Sequence, residues 1–231
     1  QAKIVAVFNG DMPLFTAAAF TEFLEAHQSS KSVATLASMS LADPAAYGRV
    51  IRKGKAFTSV VEFKDASTAQ KAVQEVNGGA YFFDRSFLSA AILKVDTKNK
   101  AKEYYLPGVF EAARKAKKKI HAHLFKDGAV LLGVNNLVEL AQAEKILYSR
   151  SAHRLMVEGV RIIDPDHTYV GPSVSVGRGS VIYPGAILEG NCHIGERVSV
   201  GPYCYLKDVT VSSDTILKMG VVAEKSQLGS D

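Results

Sequence analysis

Two hydrophobic patterns divide this chain. Up to about Glu158, short apolar runs alternate with stretches at helical spacing. "KIVAVF" (Lys3–Phe8) is apolar and β-rich, and Asn9-Gly10-Asp11 follows it, so it predicts a buried parallel strand ending in a turn. "TAAAFTEFLEAH" predicts a helix, with Thr16 as its N-cap and Phe20, Phe23 and Leu24 on one face. "SVATLASM" predicts the next strand, and Tyr47–Glu62 alternates about Lys53-Gly54 as a hairpin would. A helix over "ASTAQKAVQEV", a break at Asn77-Gly78-Gly79, a strand at "AYFF" and a helix from Ser86 come next. A further helix is predicted beyond Pro107, then strands at "KIHAHLF" and "AVLLGV", then a long helix opening at Asn135-Asn136. Such alternation predicts an α/β, Rossmann-like domain over 1–158 with a mixed, mostly parallel sheet.

Beyond Glu158 the period changes. Val170, Val176, Ile182, Leu188, Ile194, Val200 and Leu206 recur every sixth residue. Val174, Ser180, Ala186, Cys192, Val198 and Cys204 stand four places after the first six of them. This hexapeptide pattern predicts a left-handed parallel β-helix over 159–231, three hexads to each triangular coil. Residues eighteen apart, such as Val170, Leu188 and Leu206, should then stack. The register slips by one after Leu206 and resumes through Val211, Leu217, Ala223 and Leu228. Cys192 and Cys204, twelve apart, fall on different faces and are expected to be buried free thiols, which suits a reducing cytoplasm.

Composition narrows the class. With 47% hydrophobic and 22% charged residues, the 231-residue chain reads as globular, and no apolar run is long enough to span a bilayer. No secretory signal opens the sequence. Much of the +5 net charge sits in "ARKAKKK" (Ala113–Lys119), which suits a solvated helix end or a grip on phosphate. A nucleic-acid partner is not expected, nor is a membrane.

Candidate chemistry lies at the predicted strand ends. A lone carboxylate at Asp11, with Gly10 allowing close approach to the backbone, suits either a magnesium ion or a simple turn cap. Asn135 stands where a helix N-cap would stand. The six histidines show no metal-ligand spacing, and no glycine-rich phosphate loop or nucleophile elbow occurs.

The ordered motifs "NGDMPL", "AYGRVI", "VVEFKDA", "QEVNGGAYFF", "EYYLPGVFEAA" and "GVNNLVEL", running into the hexads, carry a resemblance. The chain resembles the bifunctional bacterial UDP-N-acetylglucosamine pyrophosphorylase/glucosamine-1-phosphate N-acetyltransferase family over nearly its whole length. The resemblance implies uridylyl transfer from UTP to N-acetylglucosamine 1-phosphate, giving UDP-N-acetylglucosamine and pyrophosphate for peptidoglycan and lipopolysaccharide precursors. It implies Mg²⁺ held by Asp11 and Asn135, with Asn9 and Gly10 lining the uridine-sugar site. It also implies Gly48 against the amino sugar, Glu62 on the sugar hydroxyls and Asn77 at the N-acetyl region. A cytoplasmic homotrimer joined through the β-helix is implied as well.

The chain departs from that family in three places. Pro107-Gly108 replaces the usual Thr-Asp after "EYYL". The family's N-terminal nucleotide loop, with its catalytic basic residues, is not among the 231 residues, and neither are the later acetyltransferase coils. The expectation is therefore a central segment, inactive by itself, with acetyl-CoA a partner only where further coils follow. The alternatives are a monofunctional sugar-1-phosphate nucleotidyltransferase with a β-helix tail, or a non-catalytic trimeric scaffold.

Overall fold

The computed structural model describes residues 2–229. Gln1, Ser230 and Asp231, at the outer limits of the two expected domains, lie outside the described residues. The chain forms two compact units that divide between Asn135 and Asn136.

The first unit is built on a six-stranded sheet. Its elements are β1 (Ile4–Phe8), α1 (Ala17–Ser30), β2 (Ala34–Ser40), β3 (Arg49–Lys53), β4 (Ala56–Val61), α2 (Thr68–Lys71), β5 (Glu75–Asp84), α3 (Arg85–Ala91), α4 (Gly108–Lys115) and β6 (Ile120–Leu124). Thr16 caps α1 by accepting from the Ala19 amide, and the β3–β4 hairpin turns at Gly54, as the sequence predicts. The strand order is β4-β3-β5-β2-β6, with β1 added along β5. Alternating side chains of β2 and β5 feed two cores. One holds Met39, Val76 and Phe82 against Phe23 of α1, and the other holds Leu36, Tyr81 and Phe83 against Phe110 of α4.

Several sequence expectations change here. The sheet is mixed, but only β2–β6 is parallel among its described pairs; β1–β5, β2–β5, β3–β4 and β3–β5 are antiparallel. β1 is therefore an antiparallel, half-buried strand rather than a buried parallel one. The reason is β5, ten residues long, which runs through Asn77-Gly78-Gly79 and pairs in turn with β3, β2 and β1. It also claims Glu75 and Val76, so the helix expected over 66–76 shrinks to α2 behind a Ser67–Gln70 capping box. "AVLLGV" forms no strand: Asp127 accepts from the Ala129 amide and starts a 3₁₀ turn over Gly128–Leu131. Burial of Val130 and Leu131 explains the apolar pattern without any strand pairing.

The second unit contains α5 (Leu137–Val157) and a parallel β-solenoid. The sequence boundary at Glu158 falls at the end of α5, but the helix packs on the first coil, against Arg161–Ile162 and Tyr169–Val170. Three four-stranded parallel sheets form the faces. Val170, Leu188, Leu206 and Ala223 stack in register on one of them. Ile194 meets Val211 seventeen positions on, so the slip after Leu206 is one coil short by a residue. The solenoid also begins earlier than the hexads suggest. Ile162 stacks under Ile182, twenty positions on, because a turn at Pro165–His167 lengthens that coil and hides the period. Both cysteines are fully buried free thiols.

Among the described residues no helix is long and apolar enough to cross a membrane. The basic run is an exposed helix end, in which Lys115 pairs with Glu111 at 2.8 Å.

Candidate functional site

Five separate segments of the first unit converge on one place. The β1–α1 turn brings Asn9, Gly10 and Asp11, and the Asn9 amide donates to the Gly79 carbonyl at 3.0 Å. The Asn9 side chain lies on Gly79, which has φ +73, and any side chain on Gly79 would collide with the Asn9 amide group. Next along β5, the Asn77 carboxamide oxygen accepts from the Gly79 amide at 3.2 Å, and its nitrogen donates to the Tyr81 hydroxyl at 2.8 Å. The Asn77 backbone amide donates to the Gly48 carbonyl at 2.8 Å. A side-chain carbon on Gly48 would lie 3.0 Å from both carboxylate oxygens of Glu62, so glycine lets that carboxylate close over the backbone. Gly10, by contrast, has open space above it.

Asp11 meets the fifth segment. Its carbonyl accepts from the Val134 amide at 2.9 Å, one residue before Asn135. A side-chain carbon on Gly133 would lie 3.1 Å from Asp11 Oδ2 and 3.7 Å from Tyr47 Oη. Asp11 Oδ1 is buried and makes no hydrogen bond within the described residues. Asn136, not Asn135, is the N-cap of α5, accepting from the Glu139 amide at 2.9 Å. The capping reading of Asn135 is thereby overturned. The contact between residues 11 and 134 also replaces the expected pair of parallel strands, since β1 is antiparallel and residues 132–135 form no strand.

Burial tunes the groups on the other side. It pushes the Glu62 carboxyl above the usual carboxylate range, with Asp65 adding to the effect. It pushes the Tyr81 phenol up to about 12, opposed by the Asn77 hydrogen bond and aided by the Glu62 charge, so Tyr81 stays a neutral hydroxyl. A cavity of about 690 Å³ opens beside Glu62, lined also by Val61, Asp65, Tyr105, Pro107 and Arg114. Pro107 opens α4 without a side-chain cap, so the Pro-Gly replacement serves there as a helix start. Among the described residues no three of His, Cys, Asp and Glu gather as a metal cluster.

Sequence reasoning missed Tyr47, Arg49 and Tyr81. Tyr47 Oη accepts from the Gly133 amide at 3.2 Å. The Tyr-Gly-Arg motif drew attention to its glycine alone, and Tyr81 read as one more apolar strand position.

Comparison with known proteins places this geometry. Residues 1–129 match the family "Nucleotidyl transferase", and 173–208 match "Bacterial transferase hexapeptide (six repeats)". "Bifunctional protein GlmU" of Halalkalibacterium halodurans is 38% identical over 227 residues, covering 98% of this chain and 50% of that protein. The proteins of the same name from Bacillus velezensis and a Geobacillus species are each 38% identical, covering 100% and 99% of this chain and 51% and 50% of theirs. The chain thus spans about half the length of the curated relatives it matches. With a family match over more than half its residues, and a mixed sheet running into hexapeptide coils, the chain belongs to the nucleotidyl transferase family.

Proposed function

We propose that the first unit supplies the sugar and metal side of a uridylyltransferase that joins UTP and N-acetylglucosamine 1-phosphate, giving UDP-N-acetylglucosamine and pyrophosphate. The observation that carries this reading is Asp11, whose Oδ1 is buried without a hydrogen bond while its Oδ2 and carbonyl lie against Gly133 and Val134. An uncompensated carboxylate oxygen in such a place is costly unless something positive meets it. Oxygen donors from Asp11 and Asn135 suit Mg²⁺, a hard cation that takes few protein ligands. When bound, that ion would neutralise charge on the reacting phosphates.

The remaining work falls to this chain's own groups. Glu62, held in a setting that penalises its charge, gains from accepting sugar hydroxyl hydrogens. Asn77 is fixed by Gly79 and Tyr81, so its orientation is set before a sugar arrives. Gly10 leaves open backbone for the nucleotide side, beside an Asn9 held on Gly79. The contribution is positioning and electrostatics rather than covalent chemistry.

Saturation-transfer NMR on the 231-residue chain with UDP-N-acetylglucosamine and Mg²⁺ tests the reading. Contacts to the sugar ring and acetamido protons are expected, and Glu62→Ala and Asp11→Ala should each weaken them. Equal signals from both variants, correctly folded, would overturn it. UTP-dependent pyrophosphate release is expected only from a polypeptide that also carries a glycine-rich phosphate loop.

We also infer assembly as a homotrimer through the solenoid. Its faces differ outside: Ser175, His193, Thr210 and Gln227 line one column, whereas Tyr169, Ile187, Tyr205 and Val222 line another. An apolar column on a solenoid face favours burial against another copy. Light scattering at tens of micromolar tests it, and a monomer would count against it.

A further inference from the structure

Resting on the reading above, we propose that Arg49 is a positioning residue. It shapes the loop over residues 44–47 so that Tyr47 holds Gly133 beside Asp11 while Gly48 stands against Glu62. The sugar side and the metal side of the site are then tied to one buried guanidinium.

Arg49 is only 2% exposed, and no carboxylate pairs with it among the described residues. Its four hydrogen bonds all go to backbone carbonyls. Nε donates to Lys71 at 3.2 Å, Nη1 to Pro44 at 3.3 Å and to Tyr47, and Nη2 to Ala45 at 3.0 Å. Its guanidinium carbon lies 5.5 Å from the centre of the Phe63 ring. Three of the four carbonyls come from residues 44–47, so the rigid fork dictates the shape of that stretch. Ala45 is held in the left-handed region at φ +41, its amide bound to Asp43 Oδ1 at 3.0 Å. A non-glycine residue stays there only when its surroundings over-determine it.

The loop reaches both sides of the site. Tyr47 Oη accepts from the Gly133 amide at 3.2 Å, and the Gly48 carbonyl accepts from the Asn77 amide at 2.8 Å. A well-packed apolar side chain would fill the Arg49 position without burying a charge. What it could not do is hold the Pro44, Ala45 and Tyr47 carbonyls of one loop at once.

The test follows the Gly133 amide in the ¹⁵N-labelled 231-residue chain, together with Mn²⁺ affinity. Tyr47→Phe removes the acceptor, and Gly133 hydrogen exchange should speed about tenfold at an unchanged unfolding midpoint. Arg49→Lys, which keeps the charge but loses the fork, should give the same change although residue 49 does not touch Gly133. Mn²⁺ affinity should fall about threefold to tenfold in both. Arg49→Met, which fills the buried position without the fork or its charge, should act in the same direction at least as strongly; it decides the matter if Arg49→Lys does not fold. An unmoved Gly133 amide in Arg49→Lys, or in Arg49→Met where only that variant folds, overturns the proposal. So does unchanged Mn²⁺ affinity where that amide has moved. Failure of the wild-type chain to bind Mn²⁺ overturns the metal reading instead, and the Gly133 amide still decides the tie to Arg49.

Discussion

The solenoid and the sheet unit bury their residues under different rules. In the solenoid each inward residue lies on its counterpart one coil away, as Val170 lies on Leu188 and Leu188 on Leu206. Its few buried polar groups are satisfied nearby: Ser180 Oγ donates to the Gly195 carbonyl and accepts from the Val198 amide, both at 2.9 Å. The sheet unit instead buries a guanidinium, carries a histidine in its core and leaves one carboxylate oxygen unpartnered. Such irregularities cost stability, and they cluster where a site must be held in shape. The regular unit supplies stability and surface; the irregular one carries the candidate chemistry.

The largest expected effect tests the regular half. Leu188→Ala empties the middle of a fully buried stack and should cost about 3 kcal/mol or more. Denaturant melts should show this loss while the exchange of Gly133 stays unchanged. A cost under about 1 kcal/mol would mean that the coils repack freely and that the contrast is overstated.

Asp11→Asn tests the irregular half. It keeps the shape and removes the charge behind an oxygen that has no hydrogen-bond partner, so metal-free stability should hold or rise by about 1 kcal/mol. Mn²⁺ affinity should fall at least about tenfold, about 1.4 kcal/mol, in calorimetric titration. Loss of stability with affinity intact would make Asp11 a structural residue.

Acid should separate the units as well. Burial lowers the pKa of His27, which bonds Thr35 through Nδ1, and burial together with the neighbouring His123 charge lowers that of His121. A depressed folded pKa means that the unfolded chain binds more protons. Stability is then present above about 6.5 and lost as pH falls through the lower folded values. The histidines of the second unit, His153, His167 and His193, are by contrast exposed. Amide exchange at pH 7.0 and 5.5 should therefore loosen the sheet first, and His27→Gln should flatten the difference. Equal loosening of both units would remove the histidines from the explanation.

The smallest effect belongs to the solenoid exterior. Arg197 binds Asp214 through two bonds of 2.7 and 2.8 Å, but both side chains are largely exposed. Asp214→Asn should leave the midpoint unmoved, because water and salt screen such a pair.

The two halves differ just as much in how far they can be read without a structure. The hexads from Val170 to Leu206 declared the solenoid, its stacking and its buried thiols, because the contact distance along the chain is nearly constant. Ile162 escaped notice where the Pro165–His167 turn broke that constancy. In the sheet unit the helix starts and the hairpin were legible from Thr16 and from Lys53-Gly54, which act locally. The orientation of β1 was not, because an apolar pentapeptide looks the same parallel or antiparallel.

Sequence by itself determined the class, most of the element order and the coil period, which follow from propensity and periodicity carried by residues close together in the chain. It also marked Asp11, Gly10 and Asn135 at segment ends, whereas Asn9, Gly48, Glu62 and Asn77 were implied by the resemblance of the ordered motifs. Tertiary structure decided that β5 runs unbroken through Asn77-Gly78-Gly79, that Asn136 rather than Asn135 caps α5, and that Tyr47 reaches Gly133. It also decided that Arg49 is buried among carbonyls rather than exposed as a surface charge. Each of those outcomes depends on hydrogen-bond partners contributed by distant segments, and no local pattern encodes which distant group will satisfy a buried donor.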